Sequence, residues 1–249
     1  MAHVPVVLIH GFPFDHLLWR HQVAGLTRWQ CIAPDLRGAG TSGAPIAVGE
    51  FSMTSYADDL IALLDRSKID QAVVCGLSMG GYIAFEFVRR FPDRVRAAIL
   101  CNTKAAADTP AGKLGRDALA ARAQDDGARA VADALMPKLL ARVTLERQPA
   151  VEGEVREMIL RQPVWGIVGA LRALRDRPDS TPLLGRIGVP VLVVAGDDDQ
   201  IAPAEEMEAM ARAIPDARFM VVRDAGHMTP LEQPLALNGA ISAFLETLG

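Results

Sequence analysis

Apolar positions along the chain follow two periods. Val4 to His10, Ala72 to Cys75, Val95 to Asn102 and Val189 to Ala195 are apolar runs rich in branched residues, the pattern of strands buried on both faces of a parallel sheet. Between them apolar residues recur every three or four positions. This predicts helices over Asp15–Leu26, through Leu17, Leu18, Trp19 and Val23, over Thr54–Arg66 and over Met79–Arg90, the last stopped by Pro92. Gln30–Pro34 and Arg218–Val222 read as shorter strands, and 204–214 and Leu235–Leu248 as helices. Strand and helix in alternation make βαβ units, hence an α/β fold with a doubly wound, mostly parallel sheet.

Residues 103–182 break that rhythm. They hold no strand pattern but several helical patches: from Thr109 as cap and Pro110 to about Ala123, then near 128–141, 150–161 and 164–175. A plain connection of this length would be unusual. The segment is therefore expected to be a helical cap, inserted in a core made of residues 1–102 and 183–249.

Composition narrows the function classes. Of 249 residues, 50% are hydrophobic and 22% charged, as in an ordinary globular enzyme, and the net charge of −4 gives no basic footprint for nucleic acid. No apolar run approaches the ~20 residues of a membrane span. The start, from Met1 through His3, has neither a basic region nor a cleavage site, so a cytoplasmic location is expected. Cys31, Cys75 and Cys101 lie in or beside strands without metal-ligand spacing and are expected as buried, reduced thiols.

The chemistry centres on Gly76-Leu-Ser78-Met-Gly80, a G-x-S-x-G match between a strand and a helix. A nucleophile on so tight a turn needs the flanking glycines, and the new helix aims its N-terminal N–H groups at the same spot. A serine also needs a base and a carboxylate to orient it. In an open α/β sheet reactive groups collect beyond the strands' carboxyl ends. There the chain offers Asp197-Asp198-Asp199 and, later, Asp224-Ala-Gly-His227. His227 follows the last strand in a glycine-containing loop. His3 lies near the start, His16 and His21 on a predicted helix, and His10 before a glycine loop where structural hydrogen bonding is expected. The glycine-rich turn from Asp35 to Gly43 is no dinucleotide fingerprint. Asp35 and Arg37 are assigned to loop architecture, and Asp224 and Glu232 to structure.

Taken together, His10-Gly-Phe-Pro, Asp35-x-Arg37-Gly38-x-Gly40-x-Ser42, Gly76-x-Ser78-Met-Gly-Gly81, Gly196-x-x-Asp199-x-x-x-Pro203, Gly226-His227 and Glu232-x-Pro234 resemble the serine-dependent α/β-hydrolases over nearly the whole chain. The similarity is to the carboxylesterase, 3-oxoadipate enol-lactonase and cofactor-free haloperoxidase group. It implies an α/β-hydrolase fold and picks Asp199, four residues before proline, from the three aspartates. It also implies Ser78, Asp199 and His227 as a catalytic triad, with the N–H groups of Phe12 and Met79 as oxyanion donors. Pro13 has no N–H to offer. Asn102, where some relatives keep their acid, is no carboxylate. The expected activity is hydrolysis of a small-molecule carboxylic ester through an acyl-enzyme, with no cofactor and no metal. Lactonase and perhydrolase or haloperoxidase chemistry would use the same groups, and a hydrolase-fold ligand-binding protein with little turnover is the alternative of another class. Dehalogenases and epoxide hydrolases need a carboxylate where Ser78 stands. Trp165, Val164, Ile167, Met136, Leu139, Leu140 and Met228 are candidate pocket residues, and a largely apolar lid suits small to medium, mostly uncharged substrates.

Overall fold

A strand that is apolar on both faces must be covered on both, and this governs the arrangement. The computed structural model describes residues 4–43 and 46–249; His3 lies outside them. β1 (Val6–Ile9), β2 (Cys31–Ile32), β3 (Ala72–Leu77), β4 (Val95–Cys101), β5 (Val191–Gly196) and β6 (Ala217–Val222) form a parallel sheet in the order β2-β1-β3-β4-β5-β6. In register, Ile9 lies beside Gly76, Leu77 beside Cys101, Cys101 beside Val194 and Gly196 beside Val222. The strands thus end nearly level. The segments that continue from His10, Ser78, Asn102, Asp197 and Arg223 leave from one rim. Cys75 and Cys101 are buried, Cys31 half-buried, and all three are free thiols.

Before the central strand come α1 (Arg20–Gly25) and α2 (Met53–Arg66), and after it α3 (Met79–Arg90). Reciprocal bonds between Ser52 and Ser55 cap α2. α3 has the bounds its periodicity predicts and is buried without a break from Met79 to Val88. Its one interior acid, Glu86, accepts from the Thr54 hydroxyl (3.1 Å) and pairs with Arg89. Of the elements that are shorter than predicted, two have a visible local cause. The helix expected over Asp15–Leu26 opens as a 3₁₀ turn, His16–Trp19, capped by the Asp15 carboxylate. The strand expected over Gln30–Pro34 keeps only Cys31 and Ile32, because β2 is a sheet edge and Pro34 has no N–H to pair.

Between β4 and β5 the chain makes α4 (Pro110–Leu139), α5 (Arg142–Arg147), α6 (Pro149–Leu160) and α7 (Val164–Arg175). Gly127, at φ 76°, breaks α4 in two, within the gap the sequence leaves between its first two helical patches. Asp15 ties the segment to the sheet side. It accepts two bonds from Arg161 (2.7 and 3.0 Å) and one from the Gln162 amide (3.0 Å), while Gln162 accepts the Gly40 N–H (2.9 Å). After β5 come α8 (Ala204–Arg212), α9 (Thr229–Glu232) and α10 (Pro234–Glu246). The single turn α9 is too short for periodicity to reveal. Among the described residues no helix is long and apolar enough to cross a membrane.

Candidate active site

Ser78 ends the run of β3 with φ 54° and ψ −113°, a conformation that costs a side-chain-bearing residue about 1–3 kcal/mol and persists only where surroundings enforce it. Here they do. The Ser78 N–H donates to the Cys101 carbonyl (3.0 Å), and its own carbonyl accepts the Gly81 N–H (2.9 Å) and the Thr103 hydroxyl (2.8 Å). A Cβ on Gly76 would strike the Gly80 carbonyl, and one on Gly80 the carbonyl of Ile9. Strand, turn and helix therefore meet backbone to backbone, which only glycine permits at those two positions.

Asp199 and His227 arrive from β5 and β6. One Asp199 oxygen accepts the N–H groups of Ile201 (2.8 Å) and Ala202 (3.0 Å), and the other accepts the Asn102 amide (2.9 Å). His227 Nδ1 lies 3.1 and 2.9 Å from the two oxygens. A carboxylate can only accept, so Nδ1 carries the proton and Nε2 is left with a lone pair. Burial opposes ionisation of Asp199, but His227, the Ala202 N–H and Asn102 hold its pKa below the usual carboxylate value. The neighbouring acids do other work: Asp198 accepts the Arg142 N–H (2.8 Å) and Asp197 the Ala225 N–H (3.2 Å).

A second buried carboxylate fixes the histidine loop. Glu232 Oε1 accepts the N–H groups of Gly226 (2.8 Å) and Met228 (3.0 Å), on either side of His227, while Oε2 accepts the Ala141 N–H and the Thr144 hydroxyl, both at 2.7 Å. One side chain thus joins that loop to the junction of α4 and α5. The His227 N–H donates to Leu139 nearby (2.9 Å). Burial pushes the Glu232 carboxyl above its ordinary pKa despite the four donors. The amide of Asn102 also holds the Gly226 carbonyl (3.1 Å), and its oxygen takes the Thr229 hydroxyl (2.7 Å).

Around this centre the loops are braced. His10 Nε2 accepts the Leu36 N–H (3.0 Å) and its Nδ1 donates to the Gly11 carbonyl (2.9 Å); burial lowers its pKa and keeps it neutral. The N–H groups of Phe12 and Met79 take part in no hydrogen bond among the described residues. Arg37 grips Asp59 through two 2.6 Å bonds. Burial raises the Asp35 carboxyl, but donors from Thr41 and His16 outweigh it and bring the pKa down to about 2. Asp15, His16 and Asp35 gather ligand atoms within 4.8 Å. Those oxygens already accept from Arg161, Gln162, His16 and Thr41, so the group is a hydrogen-bonded junction between core and inserted segment. Asp224 offers its carbonyl to the Gln233 amide (3.1 Å).

Ser78 and His227 line one cavity of about 50 Å³ with Phe12, Ile201 and Leu139, room for a few water molecules. Tyr82, Arg116, Leu135 and Leu174 complete it, and nothing in the sequence marks those four. Ile167 faces a second, apolar cavity of about 20 Å³ beside His10, Phe12 and Met79. Trp165 stacks edge-on against Phe51 (6.2 Å) and lines outer grooves by the glycine-rich turn. Met136, Leu140 and Met228 are buried, and Val164 is half-buried.

The sheet order, the inserted helices and the strained serine turn are those of an α/β hydrolase. The chain belongs to the alpha/beta hydrolase fold family, whose sequence model matches residues 4–234. It is similar to a thermophilic esterase of Thermogutta terrifontis solved with malate bound, at 40% identity and a TM-score of 0.95, covering 99% of this chain and 91% of that one. The enol-lactonase of Burkholderia xenovorans LB400 follows at 31% and 0.90, covering 98% and 92%. By sequence, 3-oxoadipate enol-lactonase 2 of Acinetobacter baylyi is 30% identical over 234 residues, 92% of this chain and 84% of its own.

Proposed function

We propose that the protein is a serine hydrolase that cleaves carboxylic esters of small to medium, mostly uncharged substrates through an acyl-enzyme, with residues 103–182 as a cap over the site. One observation carries the reading: the Asp199–His227 pair opens onto the same cavity as Ser78. In this mechanism Ser78 attacks the ester carbonyl while His227 Nε2 takes its proton, and Asp199 stabilises the imidazolium. The N–H groups of Phe12 and Met79 hold the oxyanion, each contributing about 3 kcal/mol to the transition state. His227 returns the proton to the departing alcohol, and water then repeats the sequence on the acyl group.

The enol-lactonases among the similar proteins favour a second substrate form for the same machinery, a lactone, in which the leaving alcohol stays tethered. The deciding experiment is labelling with a fluorophosphonate, followed by a chain-length series of p-nitrophenyl esters and a lactone set, with and without peroxide. Labelling at Ser78 with ester turnover is expected. Peracid formation in place of hydrolysis would favour the perhydrolase reading, and no labelling would favour a binding protein.

A further inference from the structure

Arg116 brings a guanidinium into the Ser78–His227 cavity, whose lining includes no acid. The surrounding walls from Phe12, Leu135, Leu139, Leu174 and Ile201 are apolar. Arg116 donates from Nε to Asp108 (3.0 Å), but the same carboxylate is paired with Arg177 (2.7 Å). Both terminal nitrogens of Arg177 are committed: its guanidinium is buried, lies 4.3 Å over the Tyr82 ring and donates to the carbonyls of Leu174 (3.1 Å) and Ala106 (3.0 Å), while its Nε has no partner among the described residues. Two guanidinium groups share one carboxylate, which leaves one positive charge in excess. The neighbouring acids, Asp117 and Asp176, are held by Arg175. Among the described residues, neither terminal nitrogen of Arg116 donates a hydrogen bond. The fork that matches a carboxylate's two oxygens is therefore unused, and the Arg116 side chain is 27% exposed, where water screens its charge only partly.

We propose that Arg116 anchors a carboxylate on the substrate, so that the cavity prefers esters or lactones carrying a free acid group beyond a short apolar portion. The proposal rests on the ester-hydrolase reading and refines its mostly uncharged substrate by one anionic end.

The test compares mono-p-nitrophenyl glutarate with p-nitrophenyl pentanoate, which differ at the far end of the acyl chain, in the wild type, Arg116→Gln and Arg116→Lys. Binding of glutarate alone is followed by calorimetry. Arg116→Gln leaves Asp108 paired with Arg177 and so is expected to fold. The charged-to-neutral ratio of kcat/KM should fall about tenfold in Arg116→Gln, with Arg116→Lys in between, and glutarate affinity should fall in parallel. In the wild type, added salt should raise KM for the glutarate ester selectively. An unchanged ratio, or glutarate binding indifferent to Arg116→Gln, overturns the proposal. Failure to turn over either ester defeats the hydrolase reading instead, and glutarate binding then still decides whether Arg116 is an anion site.

Discussion

Gly76 and Gly80 at the sheet rim, and Leu135 and Leu174 in the inserted helices, all stand close to Ser78, yet their constraints differ in kind. At the rim, backbone touches backbone: a single methyl on either glycine meets a main-chain carbonyl that has nowhere to go. Leu135 and Leu174 instead line a cavity, where size and apolar character are the requirement. On the proposed function, reaction geometry would be built from the first kind of contact and substrate fit from the second. A protein can thus change what it accepts without disturbing how it reacts.

The largest effect should come from the rim. Ser78→Ala is expected to lower kcat/KM about 10⁵-fold with no loss of fold, measured on p-nitrophenyl esters beside a thermal melt. Because Ser78 sits at φ 54°, Ser78→Gly should be equally inactive but roughly 1 kcal/mol more stable than the alanine variant. Ester turnover retained in either variant would separate the strained turn from the chemistry. Gly80→Val tests the steric side. It drives a branched side chain into the Ile9 and His10 carbonyls and should destabilise by about 3 kcal/mol or more in denaturant melts.

That contrast also explains what could be read from the chain. The turn around Ser78 and the alternation of strand and helix leave local marks, because glycine, proline and β-branched runs are demanded at fixed spacings, whereas the choice of Asp199 among three adjacent aspartates comes only from the family resemblance. Leu139, on the cavity wall, and Met136, buried away from it, belong to one helix with one period. Periodicity names the buried face and is silent on which buried residue meets a void. Arg116 leaves no mark because its significance depends on Asp108 and Arg177 meeting it in space. Glu232 stands in a visible Glu-x-Pro pattern, but its four donors come from residues as far away as Ala141, so only the fold shows that it carries the histidine loop.

Glu232→Gln should give an intermediate effect, about 10- to 100-fold in kcat/KM. The amide accepts through one oxygen only, and its NH₂ must face either Gly226 and Met228 or Ala141 and Thr144, which also donate. The pH dependence has a definite sign. Burial raises the folded pKa above its ordinary 4.5, so the native state binds this proton more tightly than the unfolded chain. Its contribution to stability is full below the unfolded value and is lost as pH rises through the folded one. Activity runs the other way, since protonation removes one of the four acceptors. Asp199, whose pKa is lowered, adds stability above its ordinary 3.8 that is lost only as pH falls through its depressed native value. Wild-type kcat/KM should therefore fall in mild acid while the fold persists. In Glu232→Gln the part of that fall due to Glu232 should be absent. Identical limbs in the two proteins would remove Glu232 from the histidine loop's control.

The smallest effects should separate the inserted helices into a face that selects substrate and a face that does not. Leu135 lines the Ser78 cavity and is only half-buried, so Leu135→Ala should cost about 1 kcal/mol of stability while shifting the preferred p-nitrophenyl ester to a longer acyl chain. Leu114, on the same helix before its break, is 70% exposed. Leu114→Ser should change stability by less than about 0.5 kcal/mol and leave the chain-length profile where it was. Both changes remove a leucine from α4, so the loss of one leucine from that helix is common to the pair. A shifted optimum in Leu114→Ser, or none in Leu135→Ala, would mean that substrate size is read at the sheet rim and that the division between the two regions lies elsewhere.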